Sequence, residues 1–88
     1  MGSYSVEWKN SAVRELKRLD RAVIRRLVEL VESLAAEPRP AGCKKLAGTE
    51  HTYRVRSGDY RVVYNVQDRK LVVEVIRVGH RSKIYNEI

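Results

Sequence analysis

The chain has 88 residues, 43% of them hydrophobic and 33% charged, with a formal net charge of +7. That apolar content excludes a disordered chain, and the length fits a single domain over residues 1–88 with a small core. No apolar run is long enough to span a membrane and no secretory leader opens the chain, so a cytoplasmic protein is expected. Cys43 is the only cysteine, which excludes an internal disulfide and fits a reducing compartment. The basic excess points to an anionic partner, of which nucleic acid is the commonest. It is concentrated in part: residues 9–39 hold eight Lys/Arg against five Asp/Glu, whereas residues 44–61 hold five against two.

The elements follow in order. Tyr4, Val6 and Trp8 alternate with Ser5 and Glu7, the pattern of a short strand with one apolar face. Asn10 or Ser11 then offers a cap, and Ala12, Leu16 and Leu19 recur at helical spacing. Asp20 is a fresh cap for a second helix. Its apolar positions form two adjoining stripes, Val23, Leu27, Leu30 and Leu34 beside Ile24, Val28, Val31 and Ala35. A face that wide can pack on a sheet and on another helix together, and part of it can dock a partner. Pro38 and Pro40 end the helix. Residues 41–51 read as a loop punctuated by Gly42 and Gly48, with Lys44 and Lys45 as candidate phosphate contacts on it.

Three strands are expected next, at about 52–57, 60–66 and 70–78. Gly58-Asp59 suits a two-residue type II′ turn, with Gly at the first central position. That turn pairs Arg56 with Arg61, Val55 with Val62 and Tyr53 with Tyr64. Opposed residues share a face and faces alternate along a strand. Tyr53, Val55, Val62, Tyr64 and Val66 therefore form the core side, and Arg54, Arg56 and Arg61 share the other. A second loop at Asp68-Arg69 pairs Val66 with Leu71, Tyr64 with Val73 and Val62 with Val75. Continued alternation puts Val72, Glu74, Ile76, Val78 and His80 on the arginine side. Arg77 falls on the core side and breaks the pattern, as a bulge, a strand end or a snorkelling side chain would explain. The fold class is thus α+β: a strand, a helical hairpin and a three-stranded antiparallel meander. The helices pack on one face of a mostly antiparallel sheet, and the other face is open and basic.

Like charges opposed across a strand pair cost roughly 0.2–1 kcal/mol. A cluster held at that cost suggests an anion, and the planar fork of arginine fits phosphate. No metal site is evident, since Asp59 and Asp68 sit in predicted turns, and no cofactor is implied.

"GDYRVVY" and "VGHRSKIY", at their separation here and behind a helical hairpin and a Lys-rich loop, resemble the RelE toxins of bacterial and archaeal toxin–antitoxin pairs over essentially the whole chain. The resemblance implies a small ribonuclease that enters the ribosomal decoding site and cuts mRNA there. It implies attack by the RNA's own 2′-hydroxyl, a cyclic phosphate product, no metal, and a cognate RelB-like antitoxin. It assigns catalytic positions to Arg54, Arg56, Arg61, Arg81 and Tyr85. Well-studied members carry lysines where this chain has Arg54 and Arg56, and arginine is no general base. His80 stands where some members have lysine and is a candidate for proton transfer, because imidazole titrates near neutrality. Tyr85 can stack on a base, a contact of roughly 1–3 kcal/mol, and Lys83 is a further candidate RNA contact. The rival of the same fold is a ParE-like gyrase poison. The rival of another class is a non-catalytic nucleic-acid-binding module.

Overall fold

A computed structural model describes residues 3–80. The chain runs β1 (Ser5–Trp8), α1 (Asn10–Lys17), α2 (Arg21–Ser33), β2 (Lys44–Lys45), β3 (Thr52–Ser57), β4 (Tyr60–Gln67) and β5 (Val72–His80). The five strands form one sheet in the order β1-β5-β4-β3-β2. Only β1 pairs in parallel, with β5, and the remaining pairs are antiparallel. Two helices pack on one face, so the α+β class and the layer order agree with expectation. The core is built from Ala12 of α1, Leu27 and Val31 of α2, Leu34 at its end, Val55 of β3, Val62, Tyr64 and Val66 of β4, and Val73, Val75 and Val78 of β5. Among the described residues no helix is long and apolar enough to cross a membrane.

The first hairpin has the expected register, Ser57 with Tyr60, Arg56 with Arg61 and Tyr53 with Tyr64. Gly58 has φ +60°, the left-handed geometry that a type II′ turn demands and that glycine adopts without strain. The second hairpin differs. Its loop takes in Asp68 through Leu71, so Val66 meets Val73 and Tyr64 meets Val75. The positive φ of this longer loop falls on Leu71 (φ +55°). A slip of two residues preserves the faces, so the core side stays apolar with different partners.

Further along, a one-residue slip does change faces. Between Val63 and Tyr64 the register jumps from Arg77 to Val75, leaving Ile76 as the extra residue of a β-bulge. Beyond it Val78 meets Val62 and is 2% exposed, in the core rather than on the arginine side. Arg77 pairs with Val63 and so shares the arginine side, the reverse of its expected placement. The bulge lies where β1 has ended and β5 needs a new neighbour. Glu15 of α1 supplies it, accepting the Val78 N–H at 3.1 Å and the Arg77 guanidinium at 2.7 Å.

Two smaller corrections concern the helices and the loop. α1 begins at Asn10, with Lys9 in the cap position and no side-chain cap bond. β1 leads straight into the helix, and the Lys9 N–H is already held by the Val75 carbonyl at 2.9 Å. Asp20 occupies the cap position of α2, again without a side-chain bond. Lys44 and Lys45 are not loop residues. They form a short edge strand on β3.

Candidate nucleic-acid site

The site grows out of the β3–β4 hairpin. Arg54 and Arg56 alternate with buried Val55 on β3, and Arg61 faces Arg56 on β4. β2 adds Lys44 directly opposite Arg54, so Lys44 joins the arginine face. Lys45 faces Tyr53 and belongs to the other side. Ala41, Gly42, Lys44, Arg54, Val55, Arg56 and Arg61 line a cleft of about 470 Å³. Arg56 and Lys44 are exposed, Arg54 is half-buried, and Arg61 is 4% exposed, sunk into the floor. A guanidinium this deep acts in a lower effective dielectric than the exposed pair, so its attraction for an anion in the cleft is larger. On the same face Val63 lies buried between Arg54 and Arg77 in register.

The face is polarised along its strands. Toward the other end, Thr52, Asn65, Glu74 and Glu7 succeed one another across β3, β4, β5 and β1. Thr52 donates to Asn65 at 2.6 Å and Asn65 donates to Glu74 at 3.3 Å. An extended anion is thus drawn to the hairpin end and repelled from the acidic row.

His80 is not brought to this cleft. It pairs with Tyr60 and shares that residue's face, whereas Arg61 pairs with Gly79 on the opposite one. Its ring meets Tyr60 edge-on, with centroids 5.6 Å apart. The bulge at Ile76 turned it over, contrary to plain alternation. Arg81, Lys83 and Tyr85 lie outside the described residues. Among the described residues no group of three or more His, Cys, Asp or Glu is placed to hold a metal ion.

A network that the sequence did not reveal fastens the segment leading into β2. Arg39 donates to both Asp68 oxygens, the nearer at 2.9 Å, and to the Tyr53 hydroxyl at 2.9 Å. Tyr4 donates to Asp68 at 2.6 Å, and the Tyr64 hydroxyl to the Pro38 carbonyl at 2.7 Å. The hydrogen bonds from Arg39 and Tyr4 hold the Asp68 carboxyl below its ordinary range. The same carboxylate raises the Tyr4 hydroxyl, and burial raises that of Tyr64. Head and tail of this segment are pinned, by Arg39 and by the β2–β3 ladder, so Ala41, Gly42 and Lys44 form a fixed cleft wall. No residue spacing signals such a network, because its members come from five separate stretches of the chain, at Tyr4, at Pro38 and Arg39, and at Tyr53, Tyr64 and Asp68.

Residues 6–85 match the family model of the ParE toxin of type II toxin–antitoxin systems. The chain is 37% identical to the mRNA interferase toxin RelE of Escherichia coli K12, over 97% of this chain and 93% of that one. Its fold superposes with a TM-score of 0.82 on the toxin–antitoxin complex RelBE2 of Mycobacterium tuberculosis, at 31% identity, covering 93% of this chain and 95% of that one. The archaeal RelE–RelB complex of Pyrococcus horikoshii gives 0.81 at 34% identity, covering 92% and 98%.

Proposed function

The chain belongs to the ParE/RelE toxin family of type II toxin–antitoxin systems and is a RelE-type toxin, and from that membership we propose that it is a ribosome-dependent mRNA endoribonuclease silenced by a RelB-like antitoxin. The observation that carries the reading is the cleft in which Lys44, Arg54, Arg56 and Arg61 converge on one face. The named activity of the relative in Escherichia coli agrees with it.

In the proposed reaction the 2′-oxygen of the message attacks the adjacent phosphorus and the P–O5′ bond breaks. The products are a 2′,3′-cyclic phosphate and a 5′-hydroxyl. The 2′-hydroxyl loses a proton and the leaving 5′-oxygen gains one. Arg54, Arg56 and Arg61 neutralise the charge that grows on the phosphoryl oxygens, an effect typically worth a few kcal/mol per well-aimed donor. Lys44 holds a flanking phosphate. Arg81 and Tyr85 are assigned to leaving-group protonation and base stacking by the family resemblance. None of the three cleft arginines is a natural base, because arginine stays protonated. The chemistry therefore leans on placement of the message by the ribosome. The partner is expected to bring an amphipathic helix for the apolar face of α2 and an acidic stretch for the cleft.

The test adds purified protein to programmed ribosomes and maps the 3′ ends, wild type beside Arg61→Lys and Arg56→Ala. Cleavage lost in the variants supports the reading. Equal cleavage in all three, or none in any, overturns it. Because the matched model is that of ParE, a gyrase assay runs alongside. Stabilised DNA breaks with an intact message would assign the chain to the rival activity.

A further inference from the structure

The two helices carry a second basic surface that the cleft does not explain. Between residues 14 and 26 stand Arg14, Lys17, Arg18, Arg21, Arg25 and Arg26, all exposed, against Glu15 and Asp20. Glu15 is committed to Arg77 and the Val78 N–H. Among the described residues, the ion pairs join Arg39 to Asp68, Arg77 to Glu15 and His51 to Glu50, so none of the six cations has a carboxylate within ion-pair distance.

The charge order of α2 makes the patch harder to read as a mere solvated surface. Arg21, Arg25 and Arg26 occupy its first two turns, with no acidic residue in the first, and Glu29 and Glu32 come later. The helix macrodipole favours the reverse order. The dipole therefore does not favour these cations, which is consistent with a role in holding an anion. α1 differs, since Arg14 and Lys17 lie in its last turn, where the dipole welcomes them.

The topology brings this patch to the cleft end of the molecule. Glu15 of α1 touches β5 at Arg77 and Val78, two residues before His80, which pairs with Tyr60 beside the β3–β4 turn. α2 then starts from that same end. The Arg26 guanidinium lies against the tip, where a Cβ on Gly58 would stand 3.5 Å from it. The strands running back from that tip carry Arg56 and Arg61. Cations thus run from the cleft, round the hairpin tip and onto the helices.

We propose that Arg18, Arg21, Arg25 and Arg26 form a second nucleic-acid surface, distinct from the cleft, that binds the phosphate backbone of a base-paired duplex. A duplex is favoured over a single strand by what the patch lacks. Residues 14–26 include no aromatic side chain, whereas single-strand binders stack bases on aromatic rings. Duplex recognition can rest on phosphate contacts alone. Binding is independent of cleavage, so this surface stands or falls apart from the nuclease reading.

The probes are a labelled RNA duplex of about 16 base pairs and a DNA duplex of the same sequence. Affinity is measured from low to moderate salt for the wild type and for R18Q/R21Q/R25Q. A charge-matched control, K9Q/R69Q/K70Q, removes three exposed cations elsewhere. Circular dichroism reports the fold of each. The helical variant is expected to lose roughly tenfold or more in affinity, and its salt slope should shrink by about 2 to 3, near 0.9 for each phosphate no longer neutralised. The control should keep the wild-type slope. A loss on both duplexes supports recognition of backbone charge, and a loss confined to RNA adds contact with the 2′-hydroxyl. Equal slopes for the helical variant and the wild type overturn the proposal, as does an equal loss in the control. Loss of antitoxin binding with duplex affinity retained also overturns it and gives the surface to a protein partner.

Discussion

The two ends of the sheet use arginine in opposite ways. At the β4–β5 loop, Arg39 is clasped by Asp68, bonded to the Tyr53 hydroxyl and laid over the Tyr53 ring, 5.1 Å from its centroid. At the β3–β4 turn, Arg56 directly opposes Arg61, with Arg54 and Lys44 close by in the ladder. The first end pairs Arg39 with a counter-charge and gains rigidity. The second sets like charges side by side and gains a field. A charge count treats these arginines alike, while register separates a fastening from a candidate site.

The sharpest way to break this contrast is at the floor of the cleft. Arg61→Lys keeps the charge and loses the planar two-pronged donor. If the cleft neutralises a reacting phosphate, message cleavage on programmed ribosomes should fall by roughly 10²–10³, the range for losing one aimed donor. A lysine that restored full rate would reduce the site to a diffuse field. Arg39→Lys at the fastened end should leave the chemical step far less affected.

A second prediction concerns the core beneath the basic end. Val78 is buried opposite Val62, while Val72 is half-exposed opposite Gln67. Val78→Ala should cost roughly 2 kcal/mol, two methyl groups and a residual cavity. Val72→Ala should cost less than about 1 kcal/mol. Urea denaturation of both variants checks the order. Equal costs would mean that β5 continues without the bulge.

That bulge marks the limit of what the sequence disclosed. Gly58 made the first hairpin legible, because a type II′ turn fixes every pair behind it. The arginine face followed from alternation and stands as expected for Arg54, Arg56 and Arg61. In "VVEVIRVGH" apolar residues occupy both parities past Glu74, so alternation reads equally well with or without an extra residue. Arg77 on the core parity was the one visible sign of the slip. Its cause, a carboxylate reaching over from α1, is a tertiary contact that no local pattern carries. The Arg39 network was hidden for the same reason, and Lys44–Lys45 is too short a strand to show a period.

The fastened end makes a prediction about pH. Hydrogen bonds from Arg39 and Tyr4 lower the Asp68 carboxyl from its ordinary value of 3.8. A depressed acid contributes stability that is present above its unfolded pKa and is lost as pH falls through the folded one. Asp68→Asn should therefore lower Tm by a modest amount at neutral pH, because the ion pair is partly exposed. The gap should close in acid, below the ordinary carboxylate range. Thermal melts of both proteins across pH test this, and a gap that persists unchanged in acid would show that the charge on Asp68 is not what holds Arg39.

The smallest effect is expected at His80, the residue that plain alternation assigned to the arginines. A general acid or base must reach the proton it moves, within hydrogen-bond distance or through one water. His80 shares its face with Tyr60 and meets that ring edge-on, while Arg61 lies on the other side of the sheet beside Gly79. From there the imidazole is directed away from the arginine cleft. His80→Gln should then slow single-turnover cleavage only a few-fold, through the end of β5, and the pH–rate profiles of the two proteins should coincide. A proton-transfer group would instead cost roughly 10²–10⁴ and carry a limb of the profile away with it. A loss of that size would require the imidazole to come round the strand end when the message binds, and the two sides of the sheet would then be joined at β5 rather than divided by it.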